Sequence, residues 1–342
     1  MNFWKDLKKP IFVLAPMADV TDPAFRRIIA KYGKPDVMWT EFVSADGLFL
    51  GGYENLIKDL AYTEGERPIV AQFFTSKPEM MEKAAELAVD LGFDGIDINM
   101  GCPDKSIEKQ GAGAAHIKNP KLAQEIILAA KRGAEKDGKN LPVSVKTRIG
   151  YNKNELETWL PILLETNPAV ITLHARTRKE MSLVPARWEH VKRAVEIRDS
   201  FVDSHGKKSE TLIFGNGDVV DTDDARRKCE ETGCDGVMLG RAIFGNPFLF
   251  ANLSHLKNGR QIEHPEELQA TKDMISIPER LRVMLEHTKL FEELLSHKSF
   301  AIMKKHYKAY VNGWDGAKEL RVKLMEAKDA GEVEDIVGDY LT

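Results

Sequence analysis

Gly95-Ile96-Asp97-Ile98-Asn99-Met100-Gly101-Cys102-Pro103 is the stretch from which the rest of the chain can be read. Its first half is an apolar strand through Ile96 and Ile98. Its second half stops that strand abruptly, because Gly101 permits a sharp exit and Pro103 removes a backbone donor. One thiol, Cys102, is left at the strand's carboxyl end, where α/β enzymes keep their reacting groups. A free cysteine is often inert core filler, but a glycine-hinged turn presents its side chain to a mouth rather than a core. An unperturbed thiol has a pKa of about 8.5 and is mostly protonated at neutral pH. Cys102 therefore suits proton donation, whereas a nucleophile would want a neighbouring base or cation.

Seven further apolar runs of the same kind surround it, giving eight in all: 11–15, 37–42, 69–74, 95–99, 143–147, 170–174, 212–215 and 236–240. Most are β-branched or continuously apolar, as strands covered on both faces should be. Helical stretches separate them. Thr21-Asp22-Pro23 opens a helix that Gly33 ends, Ser76-Lys77-Pro78 and Asn119-Pro120 open two more, and Asp221-Thr222 opens one ending at Gly233. The repeated strand-then-helix order predicts an α/β chain with a (β/α)8 TIM barrel over 1–252, rather than an open doubly wound sheet. Residues 253–278 are polar and irregular and read as a connector. Beyond them helical periodicity over 279–295, 300–311, 317–327 and 331–340 predicts a small C-terminal helical bundle, 279–342.

The 342 residues, 43% hydrophobic and 30% charged, leave room for such a barrel plus a smaller domain. No run of roughly 18 uncharged apolar residues occurs, so no spanning helix and no membrane partner are expected. Three cysteines, Cys102, Cys229 and Cys234, are too few for a disulfide framework and point to a reducing cytoplasm. They lack a metal-ligand spacing, and no metal is expected. A formal net charge of -4 leaves any nucleic-acid partner to be met by a local basic patch. Lys298, Lys304, Lys305, Lys308, Lys318, Arg321 and Lys323 form one, against only Asp315 and Glu319, with Tyr307, Tyr310 and Trp314 interleaved. A solvated helix face is the plain reading of such lysines; with the aromatics they make a grip on a nucleic-acid backbone.

A barrel collects its strand ends at one face. Reading only those ends gives Pro16-Met17, Glu41, Gln72, Asn99 with Cys102, Lys146 with Arg148, His174 with Arg176 and Arg178, Asn216-Gly217-Asp218, and Gly240-Arg241. A purely structural barrel has no need of so many converging polar groups. Lys146 in particular suits the interior only with a partner, while His174 and Gln72 could each be satisfied within a core. Loops after the seventh and eighth strands often seat a phosphate, and Gly215-Asn216-Gly217-Asp218 with Gly240-Arg241-Ala242 offers glycine backbone and an arginine for one. Gly111-Ala112-Gly113-Ala114-Ala115 lacks the context of a dinucleotide fingerprint and reads as a mobile, glycine-hinged loop over the site.

Taken together, these residues resemble the tRNA-dihydrouridine synthase family. The matching stretches are Ala15-Pro16-Met17 with Val20-Thr21-Asp22 and Phe25-Arg26, Val70-Ala71-Gln72-Phe73, Asp97-Ile98-Asn99-Met100-Gly101-Cys102-Pro103, Val145-Lys146-Thr147-Arg148, His174-Ala175-Arg176-Thr177-Arg178, Gly215-Asn216-Gly217-Asp218 and Met238-Leu239-Gly240-Arg241-Ala242. They fall in the family's order across the whole barrel, and His306-Tyr307 and Leu320-Arg321 match its helical C-terminal domain. His116, where the family has an aliphatic residue, and Val184-Pro185-Ala186-Arg187-Trp188 are departures.

The resemblance implies an FMN enzyme that reduces tRNA uridines to dihydrouridine, with NADPH reloading the flavin. It implies that Gln72, Lys146 and His174 hold the flavin ring, that Pro16 and Met17 lie along it, and that Asn216, Gly217, Asp218, Gly240 and Arg241 surround its phosphate. Cys102 is then the general acid, protonating uracil C5 as flavin N5 gives hydride to C6, and Asn99 and Arg178 touch the base extruded from the tRNA or a phosphate near it. A cytoplasmic monomer is expected. The competing readings are a flavin barrel that reduces a free pyrimidine or other enone, as dihydroorotate dehydrogenases and ene-reductases do, and an RNA-binding barrel without catalysis.

Overall fold

The computed structural model describes residues 2–251 and 275–342. Eight strands form one parallel sheet: β1 Ile11–Leu14, β2 Met38–Ser44, β3 Ile69–Phe74, β4 Gly95–Met100, β5 Val143–Arg148, β6 Val170–His174, β7 Leu212–Asn216 and β8 Gly236–Leu239. Their order is β1-β8-β7-β6-β5-β4-β3-β2, so every strand lies beside its sequence neighbours. A Val13–Val37 bridge, with the Leu14 N–H on the Val37 carbonyl at 3.3 Å, joins β1 to the chain entering β2 and closes the barrel. This is the (β/α)8 architecture that the eight apolar runs predict, with ends shifted by one or two residues.

Helices follow the strands: α1 Pro23–Tyr32, α2 Ala45–Phe49, α3 Tyr53–Asp59, α4 Pro78–Asp90, α5 Lys105–Lys109, α6 Pro120–Ala134, α7 Leu156–Leu164, α8 Glu189–Ser200 and α9 Thr222–Thr232. Asp22, Asn119 and Asp221 cap α1, α6 and α9 by accepting N–H groups of the first turn. Trp4 packs against Trp39 and Phe214, at 5.8 and 5.5 Å between ring centres, and with Ile11, Val70 and Val170 fills the barrel where the strands begin.

The chain forms two compact units. The barrel unit comprises Met1–Ala18, Asp36–Ala61 and Arg67–Gly240; the second comprises Asp19–Pro35, Tyr62–Glu66 and Arg241–Thr342. Helix α1 thus groups with the C-terminal helices. The expected connector 253–278 lies almost entirely outside the described residues. The bundle helices are α10 Ile277–Leu294, α11 Met303–Tyr310, α12 Ala317–Glu326 and α13 Ala330–Leu341.

Within the second unit Lys31 and the Tyr32 hydroxyl both donate to Glu286 at 2.6 Å. Arg26 and Glu66, both fully buried, pair at 2.8 Å. Arg26 also donates to the Thr21 carbonyl, and Glu66 accepts from the Thr63 N–H, so neither charge is left bare. Phe25 stacks on His287 at 4.7 Å and meets His306 edge-on at 5.0 Å. Tyr307 and Tyr310 are fully buried, which corrects the expectation that they interleave with the surface lysines. Trp314 is half-buried, with Arg280 over its ring and its N–H on the Tyr340 hydroxyl.

Burial holds His306 down to about 3 and His287 well below the ordinary histidine range. Both fold neutral, whereas the unfolded chain takes up protons near pH 6.5. Their contribution is therefore whole above pH 6.5 and is lost as pH falls toward the folded values, at roughly 1.4 kcal/mol per pH unit for each ring. By pH 5 His306 alone costs about 2 kcal/mol. Melting followed by circular dichroism should drop between pH 7.5 and 5, with a shallower slope in His306→Phe; equal slopes would remove the histidines as the cause.

Candidate active site

Register sets which side chains meet. Gln72 lies beside Asp97 and Asp97 beside Ser144; Asn99 beside Lys146; and Arg148 beside His174, itself beside Asn216. In the lowest of these rungs Asp97 accepts from Gln72 Nε2 at 2.5 Å and from the Ser144 hydroxyl at 2.6 Å. Burial raises the Asp97 carboxyl to about 6, against those two hydrogen bonds and the Lys146 charge. Burial, together with the Arg148 charge, brings Lys146 down to about 8, opposed by Asp97 and Cys102.

The Cys102 turn is held from several sides. Asn99 Oδ1 accepts the Gly101 and Cys102 N–H groups at 3.2 and 2.9 Å, and Asn99 Nδ2 donates to Gln72 Oε1 at 3.2 Å. Each of these two amides keeps one N–H beyond the bonds named here. Buried Arg148 donates from Nε to the Gly101 carbonyl at 2.7 Å and from Nη1 to the Thr177 and Met181 carbonyls. The Ala114 N–H bonds the Cys102 carbonyl at 2.9 Å, and a Cβ on Gly113, at φ +62°, would stand 2.8 Å from that oxygen. The glycine-rich segment thus runs into a 3-10 turn, Gly113–Lys118, buried through Ile117, rather than a mobile flap. His116, the departure within it, is fully buried with Nδ1 on the Gly113 carbonyl at 3.0 Å.

Cys102 itself is half-buried, and desolvation pushes its thiol up despite the opposing charges of Lys146 and Arg148. Arg178 pairs with Glu108 of α5 and reaches the Pro103 carbonyl at 3.3 Å, bracing the same turn.

On the other side His174 Nε2 lies 3.1 Å from Arg176 Nη1. A guanidinium only donates, so Nε2 accepts and Nδ1 carries the ring proton. Arg176 also pairs with Asp218, whose carboxylate takes the Ala186 N–H at 2.8 Å. The departing stretch Val184-Pro185-Ala186-Arg187-Trp188 supports this turn. Trp188 donates to the Gly217 carbonyl at 2.9 Å, and its ring occupies the space a Cβ on Gly215 would need, 2.2 Å away. Gly217 has φ +124°, and a Cβ there would strike Ala186 at 2.8 Å. The Asn216 amide ties β7 to β8 through the Met238 carbonyl at 2.8 Å. A Cβ on Gly240 would meet Ala15 and Met17 only at 3.5 Å. Pro16 is buried and Met17 half-buried beside that turn; Arg241, exposed, opens a short 3-10 turn of the second unit.

The barrel unit therefore brings Gln72, Asn99, Cys102, Lys146 and His174 to the ends of neighbouring strands. Sequence reasoning gave no role to Asp97, Ser144 or Glu108. A carboxylate between two isoleucines of a buried strand was the available signal, since it demands partners. The donors here, which are amide N–H groups, Lys146 and the His174 Nδ1–H, fit the acceptor edge of a planar heterocycle. The glycine turns after β7 and β8 fit a phosphate.

A (β/α)8 barrel with a thiol, a lysine and a histidine at its carboxyl ends is an enzyme barrel. The family model described as "Dihydrouridine synthase (Dus)" matches residues 13–341, and the chain belongs to that oxidoreductase family. It is 38% identical over 341 residues to "Probable tRNA-dihydrouridine synthase 2" of Bacillus subtilis (strain 168), covering 99% of this chain and 96% of that one. It is 36% identical to "Probable tRNA-dihydrouridine synthase" of Staphylococcus aureus (strain COL), covering 99% and 95%. Among solved structures, morphinone reductase shares the fold with a TM-score of 0.50 and 12% identity over 75% of this chain and 88% of that one. An amine oxidase acting on 6-hydroxypseudooxynicotine from Pseudomonas geniculata does so with a TM-score of 0.51 and 11% identity over 84% and 53%.

Titration of reductively methylated lysines by carbon-13 resonance should show Lys146 with a midpoint near 8 in the cofactor-free protein. Asp97→Asn removes the acidic charge that holds it up, so the midpoint should fall further; an unchanged or rising midpoint would contradict the arrangement.

Proposed function

We propose that the protein binds FMN at this site and reduces uridines of tRNA to 5,6-dihydrouridine, with NADPH as the source of electrons. The observation that carries this reading is a thiol held protonated despite the nearby charges of Lys146 and Arg148, in a chain whose relatives are tRNA-dihydrouridine synthases over nearly their full length. When bound, reduced FMN supplies hydride to uracil C6.

This chain's residues do the rest. Gln72, Lys146 and the Nδ1–H of His174 hold the ring edge, with Pro16 and Met17 along it. The backbone of Asn216, Gly217, Asp218 and Gly240 receives the phosphate; the Asp218 carboxylate is already engaged by Arg176 and Ala186. A lysine cation beside the ring stabilises the negative charge of its reduced form. The extruded uracil meets the remaining N–H of Asn99, while Arg178, through Glu108 and Pro103, keeps the Cys102 turn in place. Cys102 delivers its proton to C5, and its raised pKa keeps that proton available at neutral pH. The exposed cations Lys308, Lys318 and Lys323 meet the tRNA backbone.

Purified protein with FMN and NADPH should convert uridine to dihydrouridine in unmodified tRNA transcripts, read by nucleoside mass analysis, while leaving free uridine untouched. Reduction of free uridine alone, or failure to retain FMN, would overturn the reading. Cys102→Ala should keep the flavin spectrum yet lose on the order of 10²–10⁴ in rate. Charge reversal at Lys308 and Lys318 should raise KM for tRNA and flatten its salt dependence by about one unit of slope per lost phosphate contact, with kcat preserved.

A further inference from the structure

The barrel unit contains a second thiol site that the proposed chemistry does not use. Cys229, on the last turn of α9, and Cys234, just before β8, lie with their sulfurs 3.5 Å apart, at van der Waals contact. Both are free thiols and only 7% and 6% exposed. They are not sealed off. A cavity of about 300 Å³ is lined by Lys9, Pro10, Arg226, Glu230 and both cysteines.

We propose that Cys229 and Cys234 form a reversible redox dithiol, oxidised by small peroxides entering that cavity to an intramolecular disulfide. Closing the pair to a bond of about 2.05 Å requires the sulfurs to move together by roughly 1.5 Å. The backbone between them can supply this. Glu230, Glu231 and Gly233 are exposed, and the α9 terminus ends in the left-handed Gly233 at φ +72°, with no Cβ to hinder rotation. Cys234 points its S–H toward the Gly236 carbonyl at 3.3 Å, which leaves Cys229 as the donor between the two sulfurs. That donation holds Cys234 below the ordinary thiol range and makes it the attacking sulfur.

The Cys234 sulfur attacks one peroxide oxygen, the O–O bond breaks, and the other oxygen leaves as water after taking the thiol proton. The resulting sulfenic acid is attacked by Cys229; the S–S bond forms, the S–O bond breaks, and a second water leaves with the Cys229 proton. Two electrons pass from the sulfurs to one hydrogen peroxide, and an external dithiol returns them. The site lies where β8 begins, the end of the barrel away from the strand ends that carry Cys102.

The test uses full-length Cys102→Ala protein, in which only this pair remains. After hydrogen peroxide and denaturation, maleimide-reactive thiols should fall from two to none, return to two with dithiothreitol, and leave a peptide spanning both cysteines about 2 Da lighter. In Cys229→Ser, Cys234 should stop at a sulfenic acid trapped by a 1,3-dione. The same peptide in peroxide-treated wild-type protein should carry the same mass loss, which guards against a variant that misfolds. Two persistently reactive thiols, irreversible sulfinic or sulfonic products, or disulfide-linked dimers in place of the internal bond would each overturn the proposal.

Discussion

Parallel, in-register pairing from β3 through β7 is the constraint on which the site rests. Because side chains alternate along each strand, one register decides that Gln72 faces Asp97 and Ser144, that Asn99 stands beside Lys146, and that Arg148 stands beside His174 and Asn216. A slip of one residue would turn Lys146 and Asn99 toward the helices and put Val145 and Ile98 in their place. The apolar character of the neighbouring positions therefore does chemical work at a distance, since burying Ile96, Ile98, Val145 and Ile171 is what aims the polar set.

The thiol's behaviour follows from how its turn is built. Asn99 takes two consecutive N–H groups, Arg148 grips the preceding carbonyl, and Ala114 grips the following one. The backbone around Cys102 is thus determined before any ligand arrives, which is what a proton donor needs if its atom is to be presented at a fixed place. Two cations stand near, yet the thiol's pKa moves up rather than down, because burial outweighs them. Cations close enough to orient a substrate need not make the sulfur a thiolate.

The strands and most helix starts were legible in the sequence because each has a local cause: continuous apolar runs, and Asp22-Pro23 or Asn119-Pro120 at helix openings. The strand-end residues were legible for the same reason, as polar side chains closing apolar runs. What escaped were partnerships set by tertiary geometry. Asp97 as partner of Gln72 and Ser144, and Glu108 as partner of Arg178, join residues with no local tie. The glycine-rich segment after Cys102 looked hinged because composition cannot tell glycines that allow motion from glycines that allow close packing; Gly113 is of the second kind. Tyr307 and Tyr310 misled similarly, since lysines one turn away said nothing about which side of α11 is inside.

The make-up of the second unit has a consequence for how the chain is born. Its first helix is complete at Tyr32, but the helix that supplies His287 and Glu286 begins only at Ile277. At 5–20 residues per second a ribosome needs roughly 10–50 s to cover that interval. Meanwhile Phe25 lacks the His287 and His306 rings it packs against in the finished protein.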